Sequence, residues 1–443
     1  MNRYESYKPS DIDWVGEIPT HWETVQPKYK LNRVTRPIDD EDEVITCFRD
    51  GVVTLRKNRR EDGFTNSIKE HGYQQIHPGD LVVHEMDGFA GAIGISDSKG
   101  KSTPVYTVVE PDDRTDLKYI AYLLREMSQT GKIESLARSI RERTTDFRWN
   151  MWSVIHFPFP SVKEQKLISR YLDKKTSQID SLVEKIQKKS ELLKEQRTSL
   201  INHYVTKGLD PNAEMKDSGI EWVGETPSHW DIVSTKRLFK TYFGGSWGDE
   251  PEDNQVDNIV KVVRVTEFDM NYLEVTKEIP TLRSLKLSKE SPKLLKNGDL
   301  ILEKSGGGEK TPVGRVVLYH KHNNERVVNS NFTNVCRPNI ELVDPQFSVF
   351  LLSSLYSGGA TVRNIKQTTG IQNLDLDGFM SEKVSLPPLN EQTEISSRII
   401  LSNNFIQNLI QKNLEKINLL TEYRQSLISS IVTGKVRVTE DMI

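Results

Sequence analysis

From residue 161 to residue 205 the chain carries no glycine or proline, and its apolar residues fall into one stripe. Ile168, Leu172, Ile179, Leu182, Ile186, Leu193 and Leu200 recur at steps of three, four or seven, as on the buried seam of a coiled coil. Polar Lys175, Lys189 and Gln196 interrupt the stripe. Ser161, with Pro160 before it and Glu164 three residues on, has the form of a capping box at a helix start. A second stripe runs through Ile395, Ile399, Ile406, Leu409, Leu420 and Leu427, with Asn413 and Lys416 as polar intrusions and Asn390 as N-cap after Pro387 and Pro388. About 40 helical residues span about 60 Å. A lone amphipathic helix of that length leaves its apolar face in water, so the two stripes are predicted to pair.

The chain also repeats itself. DIDWVGEIPTHW (11–22) returns as GIEWVGETPSHW (219–230) at an offset of 208, matching Trp14, Gly16, Glu17, Pro19, His21 and Trp22 to Trp222, Gly224, Glu225, Pro227, His229 and Trp230. PSVKEQKLI (160–168) returns as PPLNEQTEI (387–395), and RTSLINHYVT (197–206) as RQSLISSIVT (424–433), both at an offset of 227. The second copy is therefore 19 residues longer between its shared motifs. Each copy has a shared opening, a divergent middle and a shared helical end. The C-terminal VTGKVRVTEDMI followed by the N-terminal MNRYESYKPSDIDWVGE would recreate the linker that joins the copies. Such near-circular order predicts a pseudo-two-fold scaffold with antiparallel helices and unlike modules at opposite ends.

Both middles mix strand and helix patterns. Asp80–His84 follows the Pro78-Gly79 turn as a buried strand, and residues 297–302 (NGDLIL) repeat the pattern. Glycines follow each, at 88, 91 and 94 and at 306, 307, 308 and 314, where they serve tight turns or close backbone approach equally well. Leu117–Met127 and Phe347–Tyr356 read as helices. The fold class is α+β, with a first domain over 1–157, a first spacer helix over 158–208, a second domain with its linker over 209–384, a second spacer helix over 385–434 and a tail over 435–443.

A length of 443 residues suits two to four domains. No apolar run reaches the roughly 20 residues of a membrane span, the first residues are polar, and Cys47 and Cys336 are too few and too far apart for a disulfide framework. A cytoplasmic location is the expectation. The net charge of −3 excludes coating nucleic acid by bulk charge and leaves room for local basic surfaces.

A search for chemistry returns little. GGGEKT (306–311) lacks the glycine before the lysine of a phosphate loop, because Glu309 stands there. Phe243–Gly248 is followed by no helical pattern, and Glu303-Lys304 lacks the spacing of a nuclease strand. His320 and His322 have no partner at ligand spacing, so no metal site is expected. His21 and His229, inside the duplicated opening, read as packing residues. Nucleic-acid contact fits better, since Lys and Arg neutralise phosphates while Arg, Gln and Asn read base edges. The candidates are Arg56, Lys57, Arg59, Arg60, Arg141 and Arg143 in the first middle, and Lys304, Lys310, Arg315, Arg363, Lys366 and Gln372 in the second.

The duplicated WVGEIP-x-HW and WVGETP-x-HW openings, the two P-x3-EQ helix starts (Pro160 to Gln165, Pro387 to Gln392) and the matched helix ends together resemble the specificity subunit of Type I restriction–modification systems. The likeness covers nearly the whole chain. It implies two target recognition domains, each reading half of a split, asymmetric site in double-stranded DNA, with the paired helices as spacer. It implies docking of two methyltransferase subunits and, through them, of translocating nuclease subunits. Catalysis would then belong to those partners, as would S-adenosylmethionine, ATP and Mg, with no cofactor in this chain. The competing expectation is a coiled-coil adaptor that joins protein partners without touching DNA.

Overall fold

The computed structural model describes residues 3–59, 71–136, 146–251, 258–308, 311–368 and 371–443. They form two compact units, the first Met1–Lys185 with Glu415–Ile443, the second Ile186–Leu414.

In unit 1 the run after Pro78-Gly79 is strand Leu81–His84, inside a four-stranded antiparallel sheet between Tyr106–Glu110 and Ile93–Ile95, with Asn32–Val34 at the edge. Side chains alternate across a strand. Leu81, Val83 and Val109 accordingly pack with Tyr119, Leu123, Leu124 and Met127 of helix α1 (Leu117–Gln129), while Val82 and Val108 pack with Ile45, Cys47, Val53 and Ile76 on the other face. Asp116 caps α1 by accepting the Lys118 N–H at 2.9 Å. The C-terminal residues belong to this core, where Val438 is buried.

The first predicted spacer is a continuous helix, α2 (Val162–Lys207, 46 residues). Unit 2 repeats the plan of unit 1 with more strands. Leu300–Glu303 lies between Thr333–Pro338 and Val316–Leu318 in a six-stranded sheet. Leu300 and Leu302 face Phe347, Phe350 and Leu351 of helix α3 (Pro345–Ser357), and Ile301 faces Val317 and Val335. The second predicted spacer is helix α4 (Leu389–Val432, 44 residues), so Asn390 lies inside its first turn rather than capping it.

Within unit 1 the first half of α2 meets the second half of α4: Ile168, Leu172 and Ile179 cluster with Leu427, Ile428 and Ile431, and Arg424 pairs with Asp180 at 2.9 Å. Within unit 2 the second half of α2 meets the first half of α4, through Leu193 with Ile406 and Ile410. The two helices are therefore antiparallel. The seam itself differs from the expected one. It runs Leu172, Thr176, Ile179, Val183, Ile186, Ser190 and Leu193, with Thr176 and Ser190 buried, whereas Leu182 is 38% exposed and Lys189 and Gln196 face solvent. Every seventh residue is shared by both choices, and the companion position lies either three or four residues on. Leucine at 182 favours the first by composition, but the helix pair selects the second. On α4, Asn413 lies on the seam and donates to Ser190 Oγ at 3.0 Å, while Lys416 is exposed beside it. Leu200, Leu409 and Leu420 are half-buried.

The duplicated motifs are two copies of one lock. Trp22 is fully buried, and Glu164 accepts its indole N–H at 3.1 Å, the Tyr4 hydroxyl at 2.6 Å and a bond with His21 Nε2 at 3.1 Å. Glu391 serves Trp230 at 3.1 Å and His229 at 2.9 Å in the same way. The histidines are about half exposed and hydrogen-bonded to the glutamate of each lock, and their rings lie against Tyr4 and Trp230. Ser161 does accept the Glu164 N–H at 3.3 Å, but the Glu164 side chain is turned to the opening motif, so only half of the capping box forms. The glutamine that follows bonds in both directions. Gln165 accepts the Asp116 N–H at 2.9 Å and donates to Pro160 O at 2.8 Å; Gln392 accepts the Asp344 N–H at 2.8 Å and donates to Pro387 O at 2.8 Å.

Candidate nucleic-acid interface

Arg56 and Lys57 open a short 3-10 helix, Arg56–Asn58, after the ribbon of Ile45–Cys47 and Val53–Leu55, and Arg59 follows it. Their charges are engaged locally. Arg56 Nε donates to Thr46 Oγ1 at 3.2 Å, Lys57 pairs with Glu43, and Arg59 pairs with Asp50 at 2.8 Å while lying over the Phe48 ring at 4.5 Å. Burial opposes ionisation of Asp50, yet its bonds from Arg59 and the Val52 N–H outweigh burial and hold its carboxyl below the usual range. Arg60, Arg141, Arg143 and Lys310 lie outside the described residues.

In unit 2 two candidates belong to the interior. Arg315 gives both its bonds, at 2.7 and 2.8 Å, to the buried carboxylate of Glu303, which raises the guanidinium pKa. Gln372 is buried and accepts the Val313 N–H at 3.2 Å, fixing the glycine-rich turn against strand Ile371–Leu374. A buried charge without its partner is strongly destabilising, so Arg315 is held by Glu303; a buried donor without its acceptor is costly, so Gln372 is held by the Val313 N–H. Arg363 pairs with Glu221 at 3.0 Å and Lys366 with Asp375 at 2.8 Å, both at the surface. Lys304, at the end of strand Leu300–Glu303, makes no ion pair or side-chain hydrogen bond with the described residues.

A second duplicated pair escaped the sequence reading. Asp80 and Asp299, in the PGD-L and NGD-L turns, each accept the N–H three residues back at 2.7 Å and a two-bond arginine. The arginine is Arg36 in unit 1, at 2.5 and 3.2 Å, and Arg337 in unit 2, at 2.8 Å for both bonds. The shared Gly-Asp-Leu was the visible signal, but Arg36 lies after strand Asn32–Val34 and Arg337 within strand Thr333–Pro338, so no sequence offset links them. Among the described residues no group of three or more His, Cys, Asp or Glu could hold a metal ion, and His320 pairs with Glu274 at 3.3 Å. No helix among them is long and apolar enough to cross a membrane.

Residues 227–421 match the family model of the Type I restriction modification DNA specificity domain. The chain is 22% identical to the Type I restriction enzyme EcoKI specificity subunit of Escherichia coli K12, over 95% of this chain and 90% of that protein. It is likewise 22% identical to the StySPI specificity subunit of Salmonella potsdam, over 95% and 90%. Two solved structures share the fold. One, from a study of complex assembly and conformational transition of the type I R-M system, has a TM-score of 0.68 at 11% identity and covers 95% of this chain and 99% of its own. The other, the HsdS subunit from Thermoanaerobacter tengcongensis, has a TM-score of 0.52 at 13% identity, over 95% and 98%.

Proposed function

We propose, from the match of residues 227–421 to the Type I restriction modification DNA specificity domain, that the chain is the DNA-reading subunit of such a complex and performs no reaction itself. Each unit reads one half of a split, asymmetric site, and the paired helices set the gap between the halves. The observation that carries this reading is one frame built twice: the Trp–Glu–His lock, the glutamine bridge and the Gly-Asp-Leu turn recur while the loops differ. A frame repeated under unlike loops suits a reader of two unlike half-sites.

The partners we propose are two methyltransferase subunits and, through them, the translocating nuclease subunits, with S-adenosylmethionine, ATP and Mg bound there and the assembly working on DNA in the cytoplasm. Leu192 of α2 and Leu419 of α4 occupy the same place in the two copies, 227 residues apart, and are 54% and 65% exposed. Matched exposed leucines support two equivalent docking sites for one kind of partner. The spacer role is tested by inserting one heptad into both helices at matched positions. Seven residues add about 10 Å at about 1.5 Å each, or about three base pairs of duplex at about 3.4 Å each. The methylated motif, read by single-molecule sequencing, should gain about that many unspecified positions between its halves. An unchanged gap refutes the spacer role, and an assembled complex without salt-dependent DNA binding leaves the adaptor.

A further inference from the structure

Three segments of unit 2 meet at one end of its six-stranded sheet. Strand Phe239–Gly244 ends there opposite Asn334, strand Leu300–Glu303 ends opposite Thr333, and the turn at 330–332 leads into Thr333–Pro338. Backbone bonds tie them together: Gly245 N–H to Thr333 O at 3.2 Å, Ser246 N–H to Asn329 O at 2.9 Å, and Lys304 N–H to Phe332 O at 2.9 Å. Glycine is required at 245, since a Cβ there would run into the Ser330 carbonyl.

This frame carries two exposed rings, one of them under a cation. Phe332 is 49% exposed and Trp247 36%. The Arg283 guanidinium lies over the Trp247 ring at 4.5 Å, and Lys293 Nζ donates to Ser246 Oγ at 3.1 Å. Lys304, the basic candidate without a partner among the described residues, shares the end of the sheet. The frame does not demand this chemistry. In unit 1 the equivalent backbone bond runs from Glu85 N–H to Val105 O at 2.9 Å, so an acid and a small aliphatic residue stand where Lys304 and Phe332 stand. Exposed phenylalanine in a turn adds nothing to a core, but rings beside cations suit stacking on bases or wedging at a base step next to a neutralised phosphate.

We propose that Lys304, Phe332 and Trp247 form the DNA-contacting edge of unit 2, with Lys304 on a backbone phosphate and the two rings against bases. The proposal rests on the reading of this chain as a DNA-binding subunit. The test uses the full chain assembled with its modification subunit, and as probe a fluorescent duplex carrying the motif that the wild-type complex methylates. Phe332→Ala and Trp247→Ala should each weaken binding about tenfold and relax one half of the methylated motif while the other half stays strict. Lys304→Gln should lower the slope of log affinity against log salt by about one. Thermal melts and co-purification with the modification subunit should be unchanged, because Phe332 and Lys304 support no core. If the wild-type complex itself shows no salt-dependent duplex binding, the DNA-reading assignment falls. If it binds while all three variants keep its affinity, salt slope and motif, this edge is not a DNA contact. If the variants lose the modification subunit instead, the surface is a protein interface and the proposal is overturned.

Discussion

Replacing Glu391 by alanine isolates the lock that the sequence repeats. The Trp230 ring is 1% exposed, and its N–H has this carboxylate, at 3.1 Å, as acceptor. Alanine leaves that donor buried and unpaired, at a cost of about 1–3 kcal/mol. The His229 bond at 2.9 Å lies at the surface, where an ion pair adds about 0–1 kcal/mol. A total of about 1–4 kcal/mol is therefore expected for Glu391→Ala. Glu164 accepts a third bond, from Tyr4 at 2.6 Å, so Glu164→Ala should destabilise unit 1 by about 0.5–1.5 kcal/mol more than Glu391→Ala destabilises unit 2. With two units a single unfolding free energy is ill defined, so hydrogen exchange resolved by segment is the assay, reading the opening free energy of each unit separately. The decisive control is a double-mutant cycle with Trp230→Phe, which keeps most of the ring and removes the N–H. In that background Glu391→Ala should cost at least about 1 kcal/mol less. Additive effects would mean that the carboxylate does not act through the indole, and the account of the repeated motif would be wrong.

Two further outcomes follow from single positions. Gly434 has φ +77° at the end of α4, and a Cβ there would run into Pro19 Cδ and come within 3.1 Å of Trp22 Cζ3. Gly434→Ala should therefore destabilise unit 1, read by segment-resolved hydrogen exchange, clearly more than Gly219→Ala destabilises unit 2, where φ is +65° but nothing lies within 4 Å and only backbone strain of about 1 kcal/mol is felt. Glu126 is buried in α1 beside Gln425 Nε2 at 2.7 Å, and burial raises its carboxyl pKa despite opposing contributions from Ser429 and Lys435. A folded pKa above the unfolded one favours the native state at low pH and loses that advantage as pH rises through the folded pKa. Glu126→Gln, which carries no charge to desolvate, should thus gain stability over wild type at pH 7, and melts repeated near pH 4 should show the gain shrink; a pH-independent difference would contradict this.

How far the chain could be read before folding differs by feature. Helices α1 to α4 and both Gly-Asp-Leu strands were legible, because each is fixed by a run of local periodicity and a turn. The phase of the α2 seam was not. Leu172, Ile179, Ile186 and Leu193 define one heptad position, and the sequence offers Leu182 and Val183 as rival companions. The choice depends on what α4 presents, and the answer, small Thr176 and Ser190 with Asn413 reaching across, uses polar residues that composition alone assigns to the surface. The candidate site was legible only as a class of residue. Arg315 looks like any exposed arginine until Glu303 is found twelve residues back across a hairpin. Phe332 and Trp247 carry no sequence signal, because exposure of an aromatic in a turn is decided by neighbouring segments.

Why the two units can differ so freely follows from where their register is set. Gln165 and Gln392 join a helix start to the N–H of the residue that caps α1 or α3, while Glu164 and Glu391 join the same helix start to the opening tryptophan. Opening, cap and spacer are thus fixed to one another by bonds that involve none of the variable loops. The strand behind those loops is anchored separately, by Asp80 or Asp299 with an arginine that each unit takes from a different segment. Side chains at the far end of the sheet, such as those of Lys304 and Phe332, take no part in these anchoring bonds, so substitutions at those positions change chemistry without removing them. The bond from Glu85 to Val105 in one unit and from Lys304 to Phe332 in the other, both 2.9 Å, shows the outcome: the same backbone geometry carries opposite charge and a different apolar group. Under the proposed DNA-reading role, a frame with this property acquires a new half-site by changing only what its loops present.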